Sequence, residues 1–221
     1  MRYHVEFDIE LKKNSFPGKL VVIEGIDGSG KTTQAHKIVE VLNKKGIKAV
    51  FTKEPTDGII ARILQDVLSG KLKFSPVSFQ YLFAADRAVH QEEIIKYLKK
   101  GMTVVSDRYL WSALAYGMLD IGAIDNANEK ERLLTAFSIL SMYNQFIVPD
   151  FTFYLAVPAE IAMARIVQKT QKIEIYEKEE KIEKLKKGYD WLSKKFAKEI
   201  ITVDGEGPVE KVTERIISKL S

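Results

Sequence analysis

The stretch Gly25–Thr32 reads Gly-Ile-Asp-Gly-Ser-Gly-Lys-Thr and directly follows the apolar run Leu20–Ile23. Its glycine spacing is that of a phosphate-binding loop, in which successive backbone N–H groups turn inward around a polyphosphate. Lys31 then reaches the outer phosphates, and the Thr32 hydroxyl ligates the magnesium ion that bridges them. Helical spacing follows over 31–45, so the phosphates would lie at a helix N-terminus rather than in a chance glycine-rich turn. The sequence therefore predicts that the chain binds a nucleoside triphosphate.

Length and composition fit one α/β domain with a sizeable core, since 46% of the 221 residues are hydrophobic. The absence of cysteine excludes disulfides, thiolate metal sites and a cysteine nucleophile. The net charge of +4 comes from basic and acidic residues spread along the chain, which suits anionic substrates better than a nucleic acid. No apolar run reaches the ~18 residues of a membrane span, and residues 1–6 lack the apolar core of a signal peptide. We expect a cytoplasmic enzyme that has neither nucleic acid nor membrane among its partners.

Strand and helix patterns alternate along the chain after an N-terminal extension over 1–18. Residues 3–11 alternate apolar and polar side chains, which predicts a half-buried strand that forms a sheet edge or an oligomer contact. Further strand patterns fall at 19–24, 47–52, 102–106, 151–157 and 199–203. Helical patterns fall at 31–45, 58–69, 76–100, 126–146, 159–170, 176–197 and 208–220. We therefore predict one α/β domain over 19–221, a five-stranded parallel sheet with helices on both faces, plus the extra N-terminal strand.

Two local signals refine this plan. Ser75 and Pro76 supply an N-cap and a first-turn proline for the helix over 76–100. The segment from Lys169 to Lys187 is heavily charged, which is typical of a solvated helix with i,i+4 ion pairs. Its beginning, over 169–172, follows a helix at the far end of the fold and falls within a predicted lid, about 166–176, that would bring cations onto transferring phosphates. Both interpretations stay open: the lid applies to the first residues of the segment, and the solvated helix applies to the rest.

Three further segments narrow the chemistry beyond the phosphate loop. Asp107 and Arg108 end an apolar strand, where they would hold magnesium and a phosphate, although a surface ion pair or a helix cap has the same pattern. Phe83 and Arg87 share one helical face, which suits stacking on a nucleobase or, alternatively, a core phenylalanine beside a surface arginine. The loop over 52–56 contains a proline, as binding loops and plain turns both do.

Together these motifs resemble the thymidylate kinase family, nucleoside monophosphate kinases that make dTDP from dTMP. The resemblance covers about residues 19–217 and follows the family's order. Its motifs are Glu24–Gln34, Glu54-Pro55, Leu82–Arg87 and Asp107–Tyr109 with Ser112 and Ala115-Tyr116. Pro149–Leu155 also resembles the strand before the family's lid. The resemblance implies a P-loop nucleotide kinase fold, with ATP and dTMP as substrates and Mg²⁺ as the metal. It also implies a homodimer formed through the helices over 76–100 and 126–146.

The resemblance also implies roles for individual residues. Catalysis would fall to Lys31, Asp107, Arg108 and Asp27, with Thr32 and Asp107 holding the metal. The implied ATP site comprises Gly25, Ile26, Asp27, Gly28, Ser29, Gly30, Lys31, Thr32, Thr33, Arg165, Lys169 and Lys172. The implied acceptor site comprises Asp27, Lys53, Glu54, Pro55, Phe83, Arg87, Arg108, Ser112 and Tyr116. In it Asp27 would contact the 3′-hydroxyl, Phe83 would stack on thymine and Tyr116 would pack on the deoxyribose. Arg87 would bind at the base and phosphate end, and Arg108 would clamp the acceptor phosphate.

The sequence departs from the family pattern in three places. Lys53 stands where the family usually has an arginine, which replaces a bidentate fork by a point charge. Ala113 and Gly117 stand where the family often has polar residues near the base, which leaves the discrimination of thymine from uracil open. Ser29 adds no positive charge to the phosphate loop, so a lid cation (Lys169 or Lys172) or Arg165 would have to supply it.

The expected mechanism is direct in-line transfer of the ATP γ-phosphoryl group to the dTMP phosphate, with adenine near Asp204–Gly207. The acceptor phosphate is already anionic, so no general base is needed. Three alternatives stay open. They are a kinase for dUMP, UMP or a deoxynucleoside, a non-catalytic nucleotide switch assembled through residues 3–11, and a nucleic-acid-stimulated ATPase.

Overall fold

Five parallel strands form the central sheet, and helices cover both of its faces. The computed structural model describes residues 10–125, 127–169 and 175–220. The sheet comprises β2 (Leu20–Glu24), β3 (Ala49–Lys53), β4 (Thr103–Asp107), β6 (Phe151–Ala156) and β7 (Ile201–Asp204), in the spatial order β3-β4-β2-β6-β7. A separate parallel ribbon pairs β1 (Lys12–Lys13) with β5 (Ile147–Val148). The helices are α1 (Lys31–Lys44), α2 (Ile59–Leu68), α3 (Pro76–Lys99), α4 (Leu110–Asp120), α5 (Glu129–Leu140), α6 (Ala159–Lys169), α7 (Ile175–Lys195) and α8 (Val209–Ile217).

The central strand β2 shows why the sheet is buried on both sides. All five of its residues are buried, and it pairs with β4 on one side and β6 on the other. Successive side chains of a strand point to opposite faces, so Leu20 and Val22 join one core and Val21 and Ile23 join the other. A strand buried on both faces reads as a continuous apolar run, which explains the pattern before the phosphate loop.

The parallel register brings the functional loops to one edge. Ile23 lies opposite Asp107 across the β2–β4 pair, and Lys53 lies opposite Asp107 across the β3–β4 pair. The residues after β2, β3 and β4 therefore meet at the carboxyl edge of the sheet, as expected for this architecture. The predicted fold class is confirmed, and so is the Ser75 cap, whose side chain accepts a hydrogen bond from the Ser78 N–H at 3.1 Å.

Helix α4 is the largest omission of the sequence prediction. The helical patterns found in the sequence do not include it, although it runs from Leu110 to Asp120. Eight of its eleven residues are buried, because α3, α5 and α7 pack against it. A helix buried all round carries no polar stripe, so it lacks the 3.6-residue period on which helix prediction depends.

Two predictions at the ends of elements are wrong in detail. The helix expected over 126–146 ends at Leu140 and continues as a short 3₁₀ turn over Ser141–Tyr143, because the chain then turns into β5. The extra strand lies at Lys12–Lys13, in the stretch expected to be a loop, while the part of the predicted strand before residue 10 lies outside the described residues. Within the described part of the chain, no helix is both long and apolar enough to cross a membrane.

Candidate active site

The phosphate loop joins β2 to α1 through glycines that no other residue replaces easily. Gly25, Gly28 and Gly30 all have positive φ angles, and Gly30 is the N-cap residue of α1. A Cβ atom on Gly28 would lie 2.2 Å from the carbonyl oxygen of Ala162 in α6. The loop is therefore packed against α6 as well as wound into its own curve. Its backbone N–H groups stand at the positive end of the α1 dipole, where an anion is stabilised.

Lys31 is buried beneath this loop. Its Nζ donates a hydrogen bond to the Ile26 carbonyl at 2.7 Å and lies 3.9 Å from an Asp27 carboxylate oxygen. Burial and the neighbouring Arg108 guanidinium lower the pKa of Lys31 to about 8. Burial destabilises the charged form of this ammonium in the free protein. Such a group is expected where a bound anion stabilises its charge.

Thr32 and Asp107 form a pair that suits magnesium. The Thr32 hydroxyl donates a hydrogen bond to Oδ2 of Asp107, and Oδ1 of Asp107 is buried with no partner among the described residues. Hydroxyl and carboxylate oxygens are the ligands that Mg²⁺ prefers, and it usually completes its shell with water and phosphate oxygens. The described residues contain no cluster of three or more acidic or histidine side chains placed to hold a metal. The pair therefore fits a metal that arrives with the nucleotide phosphates.

Arg108 is the centre of a second polar cluster. Its guanidinium donates to the Asp27 carboxylate, to the Ser112 hydroxyl at 3.1 Å and to the Tyr116 hydroxyl at 3.1 Å. Burial alone would raise the pKa of the Asp27 carboxyl, but Arg108 and Lys31 outweigh burial and lower it. Arg108 has a φ of 74°, an unfavourable value for a residue with a side chain, which turns the chain at the end of β4.

Glu24 is a positioning residue that the sequence analysis gave no role of its own. Its buried carboxylate accepts hydrogen bonds from the Tyr109 N–H at 3.0 Å and the Ser112 N–H at 3.1 Å, which are at the start of α4. It also accepts from the Ser112 hydroxyl at 2.5 Å and the Tyr189 hydroxyl at 3.1 Å. Burial raises the pKa of Glu24, and the Ser112 hydrogen bond is the largest opposing effect. These contacts join residues 85 or more positions apart, so no local pattern indicates them.

A cavity of 220 Å³ extends from this cluster toward α3. Its walls include Glu54, Pro55, Phe83, Arg87, Ser112 and Tyr116. The Phe83 ring meets Phe79 edge to face with centroids 4.7 Å apart. The structure thus brings most of the predicted acceptor residues to one cavity. The remaining one, Lys53, does not line it and pairs instead with Asp57 at 3.1 Å on the surface.

A buried network holds Arg87 in that cavity wall. The Arg87 Nε donates to Glu54 Oε2 at 2.6 Å, and Nη2 donates to the Tyr109 carbonyl at 2.9 Å. Glu54 Oε1 lies 3.0 Å from Nδ1 of His90, whose Nε2 lies 2.6 Å from the Thr52 hydroxyl. Arg87 Nη1 is buried without a hydrogen-bond partner among the described residues. Two of the guanidinium nitrogens are thereby fixed, and its carbon lies 4.8 Å from the centre of the Tyr143 ring.

A larger cavity of 420 Å³ lies on the other side of the phosphate loop. It is lined by the loop from Asp27 to Thr33, by Arg165 and by Gly205 and Gly207 after β7. Arg165 Nη1 lies 3.2 Å from the Ser29 carbonyl oxygen and donates to it. Gly25 and Ile26 do not line this cavity. The Ile26 carbonyl accepts hydrogen bonds from Lys31 and from the Ser29 N–H, and its side chain lies in the core. Of the predicted lid lysines, Lys172 lies outside the described residues, and for Lys169 only the backbone is described.

The fold and the phosphate loop are those of a P-loop nucleotide kinase. Within that class the chain belongs to the thymidylate kinase family, since the family model described as thymidylate kinase matches residues 23–216. A protein of Methanocaldococcus jannaschii named "Probable thymidylate kinase" is 34% identical over 202 residues, covering 90% of this chain and 94% of the relative. A protein of Methanococcus maripaludis with the same name is 40% identical over 171 residues, covering 77% of this chain and 75% of the relative. The likeness to the first relative extends over nearly the whole of both chains.

Proposed function

We propose that the chain transfers the γ-phosphoryl group of ATP to dTMP, giving ADP and dTDP by direct in-line displacement. One observation carries the proposal beyond the family relationship: Asp27 and Arg108 line both cavities, so the two cavities meet at that pair. A donor phosphate on the loop and an acceptor phosphate beside Arg108 would then lie close to each other. Positioning of this kind, with charge stabilisation, supplies most of the catalysis of phosphoryl transfer.

The residues around the meeting point suit that reaction. Lys31 and Arg108 place two cations where negative charge spreads over the transferring oxygens. Mg²⁺, held by Thr32 and Asp107, would neutralise charge on the donor phosphates. The acceptor phosphate is an anionic nucleophile, so no side chain needs to remove a proton. Arg165, against the phosphate loop, is the described residue best placed to add a further cation, and Lys169 and Lys172 would add theirs from a lid over about 166–176.

The acceptor cavity supports a deoxyribonucleotide. Tyr116 is half-buried, and its hydroxyl donates to Asp27 at 3.1 Å, so the pair forms a wall that is aromatic with one acidic group. The ring suits the apolar C2′ side of a deoxyribose, and the carboxylate suits its 3′-hydroxyl. Phe83 lies farther along the same cavity, where a base would stack.

The experiment that tests the function measures ADP release from magnesium–ATP with dTMP, dUMP, UMP, AMP, thymidine or no acceptor. We expect rapid turnover with dTMP, with or without weaker turnover of dUMP. Preference for another acceptor would keep the kinase and change its substrate. Turnover that is absent, or independent of any acceptor, would favour the nucleotide switch.

The affinity for ATP is expected to fall at alkaline pH. Lys31 in the free protein has a pKa of about 8, and bound phosphates favour its charged form. The dissociation constant should therefore be flat below pH 8 and rise up to about tenfold per pH unit above it. Calorimetric titration with ATP, without acceptor, on both sides of pH 8 measures this. The Lys31→Arg variant, whose guanidinium does not titrate, should lose the dependence. An identical pH profile in both proteins would assign it to another group.

Phe83→Ala is expected to weaken dTMP binding by ~1–3 kcal/mol, because a stacked base loses its aromatic partner. The dissociation constant of dTMP, measured by calorimetry, reports this loss. Phe74→Ala is a matched control, since Phe74 precedes the same helix, is exposed and does not line the cavity. Equal dTMP affinity in the wild type and Phe83→Ala would show that Phe83 packs in the protein and does not stack on the base.

Two further features belong to the proposal. Helix α3 exposes Val77, Tyr81 and Val89, and α5 exposes Leu134 and Phe137, which supports a homodimer formed through these helices. Light scattering of the wild type and of Tyr81→Glu tests this, since a monomeric wild type would contradict it.

We place the protein in the cytoplasm, where ATP is available, and fractionation of the source cells tests that.

A further inference from the structure

Gln80 is a buried side chain that the proposed mechanism leaves unused. It is 6% exposed, on α3, and lines the 220 Å³ acceptor cavity. Neither its amide nitrogen nor its amide oxygen has a hydrogen-bond partner among the described residues. A buried carboxamide oxygen without a donor destabilises the free protein, so a ligand that donates to it is the natural explanation.

The position of Gln80 directs it at the base end of the cavity. Gln80, Phe83 and Arg87 follow one another at i, i+3 and i+7, so they share one face of α3. Phe83 is the proposed stacking surface, and Arg87 Nη1 is likewise buried without a partner. The same face therefore presents a flat ring between two sets of unused hydrogen-bonding groups. That is the arrangement needed to hold the edge of a base as well as its face.

Helix α4 leaves room for Gln80 through its two small residues. Ala113 lines the cavity, and Gly117 follows one helical turn later. A Cβ atom built on Gly117 would lie 2.7 Å from Cδ1 of Ile139 and 3.1 Å from Cδ of Gln80, both of them very tight contacts. The Gln80 carboxamide and the Ile139 side chain therefore share the space that a side chain at position 117 would need.

Asp120 favours one orientation of the carboxamide. It lies at the rim of the cavity with Lys181, and partial burial raises the pKa of its carboxyl, an effect that Lys181 and the Gln80 amide oppose. An ionised carboxylate only accepts hydrogen bonds, so it favours the Gln80 NH₂ group on its own side. The Gln80 carbonyl oxygen is then left for the ligand, and it requires a donor.

We propose that Gln80 is a specificity residue whose carbonyl oxygen accepts the N3–H of a pyrimidine-2,4-dione base. This inference rests on the proposed function. Thymine and uracil carry a proton on N3, whereas cytosine has a lone pair there, which would face the Gln80 oxygen without a hydrogen bond. A site built around hydrogen bonds rejects a ligand that leaves its buried groups unpaired. Gln80 therefore separates dTMP and dUMP from dCMP, and does not separate dTMP from dUMP.

The test compares kcat/KM for dTMP, dCMP and N3-methyl-dTMP in the wild type, Gln80→Leu and Gln80→Met. We expect both variants to lower kcat/KM for dTMP by about tenfold or more, chiefly through KM, and to change dCMP far less. The wild type should prefer dTMP to the N3-methyl analogue, and the variants should largely lose that preference. Gln65→Leu, the same change at an exposed position on α2, should leave every ratio unchanged.

Stability separates this role from a structural one. Leucine or methionine removes a buried carbonyl oxygen that has no partner, so each variant should melt close to the wild-type temperature or above it while binding ATP normally. An unchanged dTMP to dCMP ratio in the variants would overturn the role of Gln80 while leaving the kinase intact. Lower melting temperatures with unchanged ratios would also overturn it, in favour of a packing role. A wild type that phosphorylates none of the three nucleotides would instead refute the proposed function.

Discussion

Lys31→Ala is expected to lower kcat for dTMP phosphorylation by at least about 10³-fold. The ammonium lies under the phosphate loop, 2.7 Å from the Ile26 carbonyl, where it would meet the charge that develops on the transferring phosphoryl group. In a site that excludes water such a contact is worth far more than in solution, so its loss should fall on the chemical step. Single-turnover measurement of dTDP formation, with both nucleotides saturating, measures that step directly.

The same change should leave the free protein as stable as before, or more so. Burial and Arg108 lower the pKa of Lys31 to about 8, which means that the fold holds this charge at a cost. Lys37→Ala, on the exposed side of the same helix, is the matched control and should keep wild-type turnover. Near-normal turnover in Lys31→Ala would contradict the assigned chemistry. A large loss of stability would show instead that Lys31 holds the loop together.

The sequence patterns that predicted structure correctly were those contained within a few neighbouring residues. The phosphate loop could be identified because its glycines answer a backbone requirement that few other residues meet, as the positive φ angles of Gly28 and Gly30 show. The five sheet strands could be located because each is a short apolar run between turns or helices. The alternation of strands and helices then determined a parallel sheet and placed Asp107 at its functional edge.

Features that depend on distant contacts could not be predicted in this way. Helix α4 carries Ser112 and Tyr116, but because most of the helix is buried, its sequence has no apolar–polar repeat. These two residues were therefore predicted only from the family resemblance. Glu24 lies within a recognised motif, but its role depends on N–H groups at Tyr109 and Ser112 that the fold brings to it. Gln80 resembles any other polar residue of a helix until the small residue at position 117 is placed opposite it.

Lys53 and Thr56 illustrate a different limit. Family resemblance directed attention to Lys53 as an acceptor residue, whereas the side chain lies on the surface beside Asp57. Thr56, in the same loop, donates to the Asp86 carboxylate through its hydroxyl at 2.6 Å and its N–H at 2.8 Å. The loop after β3 is therefore tied to α3 by Thr56, which was not among the predicted site residues. A motif predicts where a loop lies more reliably than which of its side chains enters the site.

Glu54→Gln is expected to lower the free energy of unfolding at neutral pH by about 3–5 kcal/mol. Glu54 and Arg87 are 4% and 3% exposed at their side chains and lie 2.5 Å apart, so the neutral amide would leave a guanidinium buried without its counter-charge. Asp57→Asn makes the same chemical change in the neighbouring Lys53–Asp57 pair, whose side chains are 49% and 76% exposed. That pair is screened by water, so its loss should cost at most about 1 kcal/mol. Urea unfolding followed by circular dichroism gives both values.

The difference between the wild type and Glu54→Gln should shrink in acid. Burial alone would raise the pKa of Glu54, but Arg87 and His90 outweigh it, so the pKa in the folded protein lies below the ordinary value of 4.5. A carboxylate with a lowered pKa stabilises the fold fully above its unfolded-state value and loses that contribution as the pH falls through its folded-state value. Below pH 4.5 the wild type should therefore approach the variant, since protonated Glu54 carries no charge and resembles glutamine. A stability gap that stays constant through this range would mean that shape and packing at Glu54, rather than its charge, hold Arg87 in the cavity wall.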